Sequence, residues 1–86
     1  MFIHLGGDVM VQSKEVIAIF DLKMKYSADA TKEFLDVADE EGFVVVIDDE
    51  ESKSFVVTTR KVYYSPISSL TLKKRAGFVS ELENES

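Results

Sequence analysis

No residue from Ser52 to Ser80 is acidic, while Lys53, Arg60, Lys61, Lys73, Lys74 and Arg75 all fall inside that window and give it a charge of +6. The chemistry such a run offers is electrostatic. Ammonium and guanidinium groups on one face neutralise phosphates and release counterions, and Tyr63 and Tyr64 are of the right type to stack or hydrogen-bond at a groove edge. The rest of the chain has the opposite sign: thirteen acids against four lysines leave residues 1–51 at −9, and Glu81, Glu83 and Glu85 contribute −3. The formal net charge of −6 therefore conceals a dipole along the sequence, an asymmetry that points to a polar partner. A plainer reading competes with it. Adjacent tyrosines in a strand point to opposite faces, which puts at least one in the core, and Lys-Lys-Arg on a helix also serves as a solvated face.

Other chemistries have little to work with. His4 is the single histidine and there is no cysteine, which excludes a thiolate or poly-histidine zinc site and leaves any Ser-His-Asp arrangement dependent on one strand residue. Asp48-Asp49-Glu50-Glu51 lacks the alternating acids and glycine bend of a calcium loop, so a solvated connection is expected. Gly6-Gly7-Asp8 leads into a strand, without the helix N-terminus that makes glycine-rich loops bind phosphate. No catalytic residue, metal site or cofactor is expected.

At 86 residues the chain is one small domain that buries about 60 to 65% of the surface its unfolded form exposes. A core that thin makes a homo-oligomer expected. The longest apolar runs, Val16 to Phe20 and Phe43 to Ile47, fall far short of the roughly 20 residues of a membrane span. The opening Met-Phe-Ile-His-Leu carries no basic leader or small-residue cleavage site, and with the absence of cysteine this makes the cytoplasm the expected location.

The elements that must position the basic window follow from periodicity. Phe2 to Leu5 and Val9 to Val11 form a hairpin across the glycines, and Val16 to Phe20, apolar on both parities, reads as a central strand. From Ser27 to Glu41 the period becomes helical, with a stripe of Ala30, Phe34, Val37 and Ala38, a cap from Ser27 or Asp29, and Gly42 as C-terminal cap. Phe43 to Ile47 and Phe55 to Thr59 read as strands joined by an exposed hairpin loop, Asp48 to Lys53, and Val62 to Tyr64 as a further short strand or a continuation after a bend at Arg60-Lys61. Pro66 closes the sheet region, and Ser68 or Ser69 caps a second helix with Leu72, Ala76 and Val79 on one side. The fold class is α+β: a compact β-rich domain over residues 1–80 with one central and one C-terminal helix, then a frayed acidic tail, 81–86. Ile17, Ile19, Phe34, Leu35, Val45, Val56 and Leu72 are the expected core.

The segments FIHLGGDVMV, VIAIFDL, EFLD and above all VYYSPISSLTLKKRA resemble the extracellular matrix regulatory protein B family, within the RemA/RemB-like small bacterial regulators. The likeness spans about residues 1 to 78. It implies a unit similar to LytTR-type DNA-binding domains, ring-shaped homo-oligomers in the A branch, and there a DNA-binding role in activating biofilm-matrix genes. The A branch carries arginines after its glycine turn and in the loop between its middle strands. Here the first place reads Gln12-Ser13-Lys14-Glu15 and the second Asp48 to Lys53, acidic except for Lys53. Carboxylates there repel phosphate, so DNA binding through that surface is expected to be impaired.

The candidate nucleic-acid-binding residues are thus Lys14, Lys53, Arg60, Lys61, Lys73, Lys74 and Arg75, with duplex DNA as partner. The alternative is an oligomeric adaptor that has lost DNA binding and engages a protein partner through its acidic loop or open strand edges.

Overall fold

The computed structural model describes residues 1–77. Strands β1 (Phe2–Gly6) and β2 (Val9–Gln12) form an antiparallel hairpin whose turn needs glycine, with φ of +116° at Gly6 and +53° at Gly7. A 3-10 turn, Ser13–Glu15, leads into β3 (Val16–Asp21), followed by the short α1 (Met24–Ser27) and the longer α2 (Asp29–Glu40). Strands β4 (Val44–Val46), β5 (Ser54–Thr58) and β6 (Val62–Ser65) precede α3 (Ser69–Arg75). One sheet holds the hairpin; the other has the order β3-β5-β6-β4, with β4 parallel to β6 and the remaining pairs antiparallel. The α+β class is as expected.

Alternation along the two central strands divides the core into two layers. Val56 and Ile19 face β1, β2 and α3, where Ile3, Leu5, Val11 and Leu72 complete a buried cluster. Phe55 and Val62 face the other way and pack under Leu35 and Ala38 of α2. The hairpin is pinned to the sheet by Ser65, which is fully buried: its hydroxyl donates to the Leu5 carbonyl at 2.6 Å and accepts from the Ile67 amide at 3.0 Å.

Local signals at the helix ends work as capping predicts in two of three cases. Gly42, at φ +80°, ends α2 with its amide donating to the Asp39 carbonyl and the next amide, Phe43, to the Ala38 carbonyl, the paired bonds of a Schellman ending. Ser68 caps α3, accepting from the Thr71 amide at 3.2 Å. The start of α2 differs. Ala28 occupies the cap with no side-chain bond, because Ser27 closes α1 and Asp29 is already helical.

Four expectations are corrected. Val16 to Phe20 forms an edge strand, not a central one: β3 pairs only with β5, and a register shift between Val16 and Ala18 turns Ile17 outward to 62% exposure. The helix stripe is also displaced. Phe34 and Val37 are about half exposed and Ala30 is exposed, while Leu35 and Ala38 face the sheet. Residues 48–53 are not a hairpin loop, because β4 lies beside β6 and the chain crosses over it to reach β5. Val45 is half-buried on its edge strand, whereas Ile19, Leu35, Val56 and Leu72 are buried as expected. Val79, the boundary at residue 80 and the tail 81–86 lie outside the described residues.

Candidate nucleic-acid interface

Because α2 and α3 cover opposite faces of one sheet, the dipole along the sequence becomes a dipole across the molecule. The outer side of α2 carries Glu33, Asp36, Asp39 and Glu40, all exposed, with Lys32 paired to Asp36 at 3.1 Å. On the far side of the sheet the last turn of α3 carries Lys73, Lys74 and Arg75. Cations there also complement the negative end of the helix dipole. Lys74 and Arg75 are exposed and Lys73 is half-buried.

The seven candidates separate into groups. The Ser13–Glu15 turn, which carries Lys14, is held against the β5–β6 turn of Arg60 and Lys61 by the Thr59 amide, which donates to the Glu15 carbonyl at 3.0 Å. Within that group Arg60 Nε stands 4.0 Å from Glu15 Oε1, a contact in which the arginine is 81% exposed and therefore weakly held. The β5–β6 turn itself is firm: Thr58 Oγ1 donates to the Lys61 carbonyl and accepts from the Lys61 amide. Lys53 stands apart, beyond the opposite end of β5, 3.7 Å from Glu51. It does not share a surface with Arg60 and Lys61.

Arg75 has a structural contact besides its charge, since its Nη1 donates to the His4 carbonyl at 2.9 Å and ties α3 to β1. Lys14, Lys61, Lys73 and Lys74 have no ion-pair partner among the described residues. Of the seven candidates they are the ones free of an ion pair among the described residues and without Arg75's tie to the backbone.

The tyrosines are not available in the same way. Tyr63 packs against the hairpin-side cluster and Tyr64 against the α2-side cluster, as strand alternation requires. Tyr64 lies 6.4 Å from Phe55 between ring centroids, and the Lys25 ammonium sits 5.6 Å over its face. His4 has a local role, its Nε2 within 2.8 Å of the Gly7 carbonyl. The acidic loop closes on itself, Asp48 Oδ1 accepting from the Glu50 amide.

One feature was missed from sequence. Between α2 and the sheet, Ile17, Phe34, Val37, Phe43 and Val57 line an apolar groove of about 490 Å³, whose lining also includes Glu41, Arg60 and Lys61. Its residues read as core because they are apolar at strand and helix spacings. The usable signal was the second, overlapping stripe through Leu35 and Ala38.

The chain is thus a small α+β domain with an acidic helix on one face of its sheet and a basic helix end on the other. The chain belongs to the RemA-like family, described as extracellular matrix regulatory protein A-like, whose model matches residues 2–76. It is similar to the extracellular matrix regulatory protein B of Bacillus subtilis (strain 168), with 43% identity over 84 residues that cover 98% of this chain and 100% of that protein. The resemblance carried by VYYSPISSLTLKKRA is borne out. No helix among the described residues is long and apolar enough to cross a membrane.

Proposed function

We propose that this chain is a non-enzymatic cytoplasmic regulator of extracellular-matrix production that acts on transcription by binding duplex DNA. The family membership and the name of its relative support the regulatory part. The observation that carries DNA binding is the segregation of charge across the sheet, with Lys73 and Lys74 unpaired among the described residues on the face away from the acids of α2. The LytTR-like fold that the family resemblance implies is part of this reading. Lys14 and Lys61 extend the basic surface at the β5–β6 turn, and Lys53 is left out of it.

Homo-oligomer formation belongs to the same reading. Strands β3 and β4 each leave one edge of the sheet unpaired, and Phe2 and Met10 on the hairpin are 61% and 56% exposed. Open edges and exposed apolar side chains each favour association between copies. A second reading, an oligomeric adaptor for a protein partner, is favoured by the exposed acidic loop. Titration of duplex DNA at several salt concentrations separates the two.

A further inference from the structure

We propose that a second site, between the β3–α1 segment and the start of α3, binds a nucleoside monophosphate. Lys23, Tyr26, Ser52, Lys53 and Ser69 line a pocket there of about 370 Å³. That volume falls in the range of small-ligand sites. None of Lys14, Lys61, Lys73 and Lys74 lines it, so the pocket is separate from the cations assigned to DNA.

Three segments far apart in sequence are fixed there by their backbones. The Lys53 carbonyl accepts from the Leu22 amide at 3.0 Å and the Lys53 amide donates to the Ser65 carbonyl at 2.8 Å, tying the entry of β5 to the end of β3 and to β6. Ser54, fully buried, donates its hydroxyl to the Ile67 carbonyl at 2.7 Å and so anchors the chain that leads into α3. The Tyr26 amide donates to the Lys23 carbonyl at 3.0 Å, which holds both residues on one turn. Such bonding sets the frame of the pocket before any ligand arrives.

The side chains on that frame are mostly donors without a partner. The Lys23 ammonium, the Tyr26 phenol and the Ser52 and Ser69 hydroxyls make no hydrogen bond or ion pair among the described residues. Lys53 has only Glu51 at 3.7 Å, a pair exposed at both ends and therefore weakly held. The carboxylate in the lining, Asp21, is already engaged, its Oδ1 accepting from the Lys23 amide at 2.9 Å. Two ammonium groups against one carboxylate disfavour a cation. A phosphate monoester suits them, because its three terminal oxygens carry nearly two charges and accept from several donors at once. The remaining wall is apolar, made of the lysine stems, Leu22 and the ring of Tyr26, which is 77% exposed. An exposed phenol ring offers a planar base a face to stack on, which favours a nucleotide over bare phosphate.

NMR titration of the isotope-labelled full chain with adenosine monophosphate, and separately with inorganic phosphate, tests the site. Amide shifts should saturate with the nucleotide and centre on Lys23, Tyr26, Ser52, Lys53 and Ser69, leaving Lys61 and Lys74 unmoved. Lys23→Gln with Lys53→Gln should weaken binding about tenfold or more, and Tyr26→Leu should erase the preference for the nucleotide over inorganic phosphate. Lys73→Glu with Lys74→Glu, which removes the proposed DNA contacts, should leave nucleotide binding intact, so the two readings fail separately. Absence of a saturable shift at millimolar nucleotide, inorganic phosphate binding as tightly as the nucleotide, or displacement of the nucleotide by duplex DNA each overturns the proposal.

Discussion

Arg75 and His4 are joined across the fold: the guanidinium donates to the His4 carbonyl at 2.9 Å, fastening the last turn of α3 to β1. The most basic stretch of the sequence therefore has two duties, and they fall on different residues. Arg75→Ala should lower stability by about 1 kcal/mol, the typical net worth of one hydrogen bond, whereas Lys74→Ala should leave it unchanged. Urea midpoints of the two variants check this; equal midpoints would show that the contact has no energetic weight.

The helix phase gives a sharper contrast. Leu35 is 1% exposed beneath α2 and Phe34 is 47% exposed beside it. Leu35→Ala should cost about 2 to 5 kcal/mol, and Phe34→Ala under about 1 kcal/mol, because only enclosed side chains leave a cavity. Denaturant unfolding of the pair distinguishes this phase from the one that the Ala30-Phe34-Val37 stripe suggests.

Ser65 is a small residue with a large expected effect. Ser65→Ala removes both the donor to the Leu5 carbonyl and the acceptor for the Ile67 amide in a fully buried place. A loss of about 1 to 3 kcal/mol is expected for each group left unsatisfied. Amide exchange should quicken in β1 along with it, and unchanged exchange there would mean that the hairpin is held by packing alone.

Two glycines should respond differently to alanine. A Cβ at Gly6 would meet Pro66 Cγ at 3.0 Å and Cδ at 3.1 Å, besides the cost of φ +116°. At Gly42 there is nothing within 4 Å, so Gly42→Ala carries only left-handed strain, about 1 to 2 kcal/mol. Thermal unfolding should rank Gly6→Ala as the more damaging.

Much of the fold is legible in the sequence because short-range rules govern it. The glycine turn, the Gly42 and Ser68 caps and the opposite facing of Tyr63 and Tyr64 all depend on residues within a few positions of one another. What sequence periodicity does not determine is which of two overlapping apolar stripes on α2 meets the sheet, since Ala38 belongs to both. Strand order is non-local too. The same apolar run suits a central strand or an edge strand with a bulge, and β3 is the latter. The charge asymmetry was legible as a sum, but its division into the α3 end, the β5–β6 turn and the isolated Lys53 depends on how the sheet is wound.

Duplex DNA binding, measured against salt, tests the central claim most directly. With Lys14, Lys61, Lys73 and Lys74 each at a phosphate, log affinity should fall against log salt with a slope of about −4. Lys73→Glu with Lys74→Glu should abolish binding at a temperature where circular dichroism shows the domain still folded, the lost helix-dipole contacts costing some stability, and Lys53→Glu should change little. Absence of binding to any duplex at about 50 mM salt, where phosphate contacts are strongest, would contradict the account and favour the adaptor.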